Sequence, residues 1–349
     1  MSKTRRRNAK QVTIKEVAEV ANVSITTVSN VLNGRIAEMA EPTLVRVQQA
    51  IQALNYRPNH VARSLVTQRT ASLGVLIAEI DTPLFLQALN SIETIARAAN
   101  FNILLCTAKN LADEQQAVNL LLEKQVDGFI FLSTSAYLEQ DYLLDLPIVL
   151  PPTVLVNRAV TQSKFHQIDL DDTNGVIRAI DYLVELGHTR IAHLYGPPSR
   201  HSSDRRLQGY RLGLAKHHLP ADDNYLRCGD YEVDRSVWEQ STLELLNLSP
   251  RPTAIIASND LVATVVMRTV RRAGLRIPDD ISVVGIDNQP FGAYLDPTLT
   301  TIQLPIVEAG RQGIELLLAQ ICGECTFTQH LMLSCPLIVR ESSGPAASE

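Results

Sequence analysis

The chain has 349 residues, 45% of them apolar and 20% charged, with 32 Lys and Arg against 37 Asp and Glu for a net charge of −5. That length and apolar content exclude a disordered tract and a single small core, and no apolar run is long enough for a membrane span. The charge is split: residues 1 to 70 hold eleven Lys and Arg against four Glu, a net of +7, which leaves −12 on the other 279 residues, the pattern of a phosphate-binding head on a body that does not bind nucleic acid.

Residues 1–11 form a basic arm, with Lys3, Arg5, Arg6, Arg7 and Lys10. The first element follows at VTIKEVAEVANVSITTVSNVLNG, residues 12–34. Thr13 and Glu16 have the spacing of a capping box, and Ile14, Val17, Ala18 and Ala21 recur at helical period. Asn22-Val23 makes a tight turn, and Ser24 caps a second helix that points Val28, Val31 and Leu32 inward. Its outward residues Ile25, Thr26, Thr27, Ser29 and Asn30 are short and almost uncharged, suited to base edges and phosphates in a groove. Pro42 begins a third helix with Leu44, Val47, Ile51 and Leu54 on one face, and Pro58 ends the head. The stretch NHVARSLV, residues 59–66, is too short to be a stable helix alone and is expected to order only when docked.

Beyond residue 70 apolar runs alternate with helical stretches. Strands are expected at 72–80, 101–106, 128–133, 153–157, 190–196, 254–260 and 281–288, and helices at 85–100, 114–125, 173–187, 207–218 and 261–274. Alternation of buried strand and helix over about 275 residues argues for a parallel sheet covered on both faces, twice over. The fold class is therefore an all-α helix-turn-helix head on an α/β body of two doubly wound parallel-sheet lobes.

Catalysis finds little support. The eight His are dispersed, with His201 on a loop, and no P-loop, GxSxG or GxGxxG is present, so no catalytic residue and no cofactor is expected. The acidic run Asp169, Asp171 and Asp172 precedes a helix at Thr173 and reads as capping. The five cysteines are an odd number and no signal peptide precedes them, so a reduced, cytoplasmic setting is expected. Cys322 and Cys325 form one CxxC without two further ligands at metal spacing, so no metal is expected.

TIKEVAEVANVSITTVSNVLN followed by LNYRPNHVARSL resembles the lactose-repressor/galactose-repressor family, and the likeness continues through ELGHTRIAHLYGP, SNDLVA, VVGIDN, LTTIQLP and PLIVRESS, about residues 12–343. The resemblance implies base contacts from Ile25, Thr26 and Asn30, and phosphate contacts from Ser24, Thr27, Ser29 and Asn33. It implies a hinge helix whose Ala62 and Leu65 enter the minor groove, Leu65 wedging a base step. The implied division is an arm (1–11), a DNA-binding domain (12–57), a hinge (58–70), a first lobe (71–170 with 306–333), a second lobe (171–305 with 334–343) and a tail (344–349). The loop GRIAEMAEPT is about one residue longer than the commonest family pattern.

The body resembles periplasmic sugar-binding proteins, which hold ligand in a cleft at the carboxyl ends of the strands. By position the candidate effector residues are Phe85, Arg200, Ser202, Arg206, Tyr231, Asn259, Asp260 and Asp287. An Arg donates to hydroxyls or a carboxylate, Asp287 accepts two adjacent hydroxyls, and Phe85 or Tyr231 stacks on a ring. Asn259-Asp260 reads equally as a turn and helix cap. The expected function is a homodimeric repressor of a pseudo-palindromic double-stranded operator, with no membrane partner, responding to a sugar or sugar phosphate. A nucleobase is the alternative effector, weakened by Leu84 where the purine-binding members place a second aromatic. A transport receptor is a further alternative, disfavoured by the basic head.

Overall fold

The computed structural model describes residues 12–32, 34–37, 39–56, 69–78, 80, 83–132, 142–146, 149–158, 163–198, 200–229, 235–325 and 327–347. They fall into two compact units, residues 1–70 and 71–349.

The head is three helices, α1 (Ile14–Ala21), α2 (Ile25–Leu32) and α3 (Glu41–Ala53). Local chemistry sets each boundary. Thr13 N–H donates to Glu16 Oε2 at 2.7 Å while Glu16 N–H donates to Thr13 Oγ1 at 3.4 Å, closing the capping box. Asn22, at φ 51°, takes the left-handed conformation that ends α1, and Thr27 N–H donates to Ser24 Oγ at 3.1 Å to start α2. Val17, Ala18, Ala21, Val28, Val47 and Ala50 are the buried core, with Ile14, Val31, Leu32, Ile51, Leu54 and Tyr56 packed around it. Leu44 is half-buried and stands outside that cluster.

The second unit holds two six-stranded sheets. The first lobe is built from β1 (Ser72–Ile77), α4 (Pro83–Ala98), β2 (Asn102–Thr107), α5 (Leu111–Glu123), β3 (Gly128–Leu132), a one-turn helix α6 (Tyr142–Asp145), β4 (Thr153–Val156) and β5 (His166–Leu170). The chain then crosses to the second lobe with α7 (Asp172–Glu185), β6 (Ile191–Tyr195), α8 (His201–Lys216), β7 (Leu226–Cys228), α9 (Arg235–Leu246), β8 (Ala254–Ile256), α10 (Asp260–Arg272), β9 (Ser282–Asp287) and β10 (Thr300–Gln303). It returns with α11 (Ile306–Cys322) and β11 (His330–Leu333), and crosses a third time to β12 (Leu337–Ile338). Strand order is β11-β5-β4-β3-β1-β2 in the first sheet and β12-β10-β9-β8-β6-β7 in the second. Every pairing is parallel except β12 with β10, where the last strand runs antiparallel. β3, β4 and β5 are buried along their whole length, the signature of strands covered on both faces.

Two differences from the sequence reading bear on the site. The helix expected from residue 207 begins at His201, so His201 and Ser202 lie in its first turn rather than on a loop. The acidic run does more than cap: Asp171 caps α7 by accepting from Asn174 N–H at 3.3 Å, Asp169 takes His330 Nε2 at 2.7 Å, and Asp172 is buried against an arginine described below.

Close helix contact sets the second lobe's geometry. A Cβ at Gly209 would lie 2.5 Å from the carbonyl oxygen of Thr173, so only glycine lets α8 lie this close to α7. Behind that contact His193 is fully buried, its ring stacked on Tyr210 at 5.3 Å, its Nδ1 bonded to the carbonyl oxygen of Ile256 at 3.0 Å. Burial pushes the imidazole down from 6.5 to about 4. The neutral ring's stabilisation is complete above pH 6.5 and is lost as pH falls toward 4, a difference of about 3 kcal/mol. Asp260, pushed up by burial, titrates in the opposite sense, so the two must be separated. His193→Gln is expected to flatten the fall in urea midpoint between pH 6.5 and pH 4 relative to the unsubstituted chain. Equal slopes in the two proteins would remove His193 from the acid sensitivity.

Candidate functional site

In the head, Ile25 and Thr26 open α2 and face solvent, Ile25 at 47% exposure. An aliphatic side chain held outward on a helix this small gains nothing for the core and leaves a contact surface. Ser24 and Thr27 share a hydroxyl bond of 2.9 Å, so both hydroxyls sit at the start of the helix, where N–H groups and the dipole favour anions. Ser29 and Asn30 are half-buried one turn on, and the carbonyl of Asn30 accepts from Arg35 N–H at 2.9 Å. Asn33, Ala62 and Leu65 lie outside the described residues.

In the body, Arg206 on α8 is 5% exposed. Its Nε donates to Asp172 Oδ1 at 2.8 Å and one terminal N–H donates to the carbonyl of Ser258 at 2.8 Å. The guanidinium thus joins the start of α7 to the carboxyl end of β8. Asp172 Oδ2 and Ser258 Oγ are buried and have no partner among the described residues. Asp287 ends β9 at φ 124°, a strained conformation for a residue with a side chain, and strain of this kind persists where the surroundings hold it in place. Its carboxyl stays partly accessible and, among the described residues, no hydrogen bond reaches it. Burial pushes it well above the usual carboxylate range, Asp260 and Asp172 add to that, and Arg206 opposes them.

The neighbouring candidates are engaged in the fold. Asn259 Oδ1 accepts from Val262 N–H at 2.8 Å and caps α10. Asp260 is fully buried, accepting from Gln289 N–H and Thr301 Oγ1, each at 2.6 Å, and burial pushes it up to about 6. Its carboxylate lies against Gly285, where any Cβ would collide with it. Arg200 and Ser202 are half-buried at the start of α8, Ser202 one turn before Arg206. Phe85 and Leu84 are buried in the first turn of α4, within the main core. Tyr231 lies outside the described residues.

The fold thus brings Arg206, Asn259, Asp260 and Asp287 to the carboxyl ends of the central strands β8 and β9. The sequence reading missed two members of that group, Asp172 and Ser258. The signal for Asp172 was present: three acids before one helix exceed what a cap needs. Among the described residues no group of three or more His, Cys, Asp and Glu side chains could hold a metal, and no helix is long and apolar enough to cross a membrane.

Comparison with known proteins agrees with both halves. Residues 13–59 match the family of bacterial regulatory proteins of the lacI type, and residues 180–343 match a periplasmic binding protein-like domain. The HTH-type transcriptional repressor PurR of Vibrio atlanticus is 33% identical over 310 residues, covering 88% of this chain and 92% of that protein. The lac repressor dimer bound to operator and the anti-inducer ONPF aligns at a TM-score of 0.85 with 28% identity, over 96% of this chain and 100% of that one. The transcriptional regulator CelR in complex with cellobiose aligns at 0.71 with 28% identity, over 95% and 100%.

Proposed function

The chain belongs to the lacI family of bacterial regulatory proteins, DNA-binding repressors with an effector-binding domain, and from that premise we propose that it is a homodimer whose heads read a pseudo-palindromic operator under the control of a sugar. Ile25, Thr26 and Asn30 read base edges, and Ser24, Thr27, Ser29 and Asn33 hold phosphates. Ala62 and Leu65 enter the minor groove. Arg206 and Asp287 grip the effector, with Arg200, Ser202, Phe85, Tyr231 and Asn259 around it. Asp260, buried beneath them, holds the turn after Asp287 through the Gln289 N–H.

The observation that carries the effector class is the excess of acceptors. Among the described residues Asp172 Oδ2 and the Asp287 carboxyl lack a donor and Ser258 Oγ lacks any partner, and a polyol supplies several hydroxyls at once. Asp172 and Asp287 beside the single guanidinium of Arg206 leave that group no free charge for a phosphate, so a sugar phosphate would turn its anion toward Arg200. A nucleobase effector is the second reading, favoured by the 33% identity to a repressor named PurR.

Thermal-shift measurement of the full-length chain against sugars, sugar phosphates and nucleobases tests the class. A true effector at a hundred times its Kd stabilises the folded state by about 3 kcal/mol. A shift with nucleobases and none with sugars would overturn the sugar reading. Selection of genomic fragments by the same protein tests operator reading, which fails if no fragment is preferred over competitor DNA.

A further inference from the structure

Two lobes joined by three backbone crossings can rotate about those crossings, and side-chain contacts between their facing ends then bias the angle at which they rest. Gln87 lies on α4 of the first lobe. Gln289 follows β9 of the second, two residues after Asp287. Gln87 Nε2 donates to Gln289 Oε1 at 2.9 Å, across 202 positions of sequence.

Packing alone does not account for this pair. Gln289 is 2% exposed, and among the described residues its own Nε2 has no partner. An orphaned buried amide N–H is unfavourable, and an apolar residue of similar size would avoid it. Gln289 is also tied to the acid cluster, because its backbone N–H donates to Asp260 Oδ2 at 2.6 Å. Its position therefore follows that of Asp260 and of the strained turn at Asp287. Gln87 is half-buried and lines an open groove with Leu86, Leu89, Asn90 and Glu93, so water competes for its end of the bond. A bond buried at one end and wet at the other holds two bodies together and still breaks readily.

We propose that the Gln87–Gln289 pair is a positioning latch that holds the two lobes closed over the cleft of Arg206 and Asp287, so that effector affinity is set in part by residues that need not touch effector. The link to affinity rests on the reading of that cleft as the effector site. The latch itself does not, and the experiment separates the two.

Spin labels are introduced as unnatural amino acids at Lys124 and Thr189, exposed positions beside the amino ends of β3 and β6, in full-length chain diluted with unlabelled chain. The inter-lobe distance is read by electron double resonance without any small molecule. Gln87→Ala and Gln289→Ala are each expected to lower the closed-to-open ratio roughly three- to tenfold, the double variant no further, as a single net hydrogen bond predicts. Gln87→Glu is expected to restore closure, Gln289 Nε2 then donating to the carboxylate. The thermal midpoint should change little in the Gln87 variants, whose side chain lies on an open groove. Unchanged distances in both single variants, or losses that add in the double, overturn the latch. Cellobiose and guanine are then added as probes. Failure of both to change the distance in unsubstituted chain counts against the proposed effector class, and the probe-free result on the latch is unaffected by it.

Discussion

Arg206→Met is expected to abolish the effector response and to destabilise the body by about 3–5 kcal/mol, because it leaves Asp172 buried without its cation. The two effects have different origins, and a compensating change separates them. Asp172→Leu placed in the same chain removes the stranded carboxylate, so much of the lost stability returns. The effector response does not return, since the donors that Arg206 offers are still missing. Urea unfolding gives the first quantity. Operator titration, with and without the compound that shifts the unsubstituted protein, gives the second. A double variant that regains both stability and response would reduce Arg206 to a structural tie between α7 and β8.

The second large effect is on DNA. Asn30→Ala and Thr26→Ala are each expected to relax discrimination at one base pair per half-site by about 1–3 kcal/mol, and a two-headed repressor incurs that loss twice. Replacing Arg5, Arg6 and Arg7 by alanine, in the arm outside the described residues, should instead weaken binding to all sequences alike. It should also flatten the dependence of log K on log salt by roughly one unit for each phosphate that is no longer neutralised. Competition binding against a library of single-base operator variants distinguishes the patterns. Equal loss on every sequence from Asn30→Ala would show that this side chain holds backbone rather than reading bases.

How far the sequence led depended on how local the determining interactions were. The first two helices of the head were legible because their signals lie three or four positions apart: Thr13 with Glu16, Ser24 with Thr27, and the buried Val17, Ala18 and Ala21; in α3, Leu44 was read inward and stands outside the core. The central strands were legible because both faces are covered, leaving unbroken apolar runs such as GFIFL. The short edge strands β7, β11 and β12 carry no such run and were not assigned. β5 was given no range because HQIDL holds three polar residues and lacks an apolar run, although all five are buried. The first turns of α8, HSSDRR, are polar and β-turn-like in composition, and they are held helical by tertiary contacts of Arg206 and Gly209. The site was legible as a set of residue types at strand ends. Its pairings were not, because Arg206 meets Asp172 across 34 positions and Gln87 meets Gln289 across 202, and no local pattern registers contacts at such separations.

The path of the chain between the lobes has a genetic corollary. Residues 330–338 supply one edge strand to each sheet, β11 beside β5 and then β12 beside β10. A nonsense codon anywhere upstream of position 330 therefore strips both sensing halves of a border at once, however much of either remains encoded. Neither half corresponds to a contiguous stretch of gene, so neither can be traded between homologues by a single recombination event.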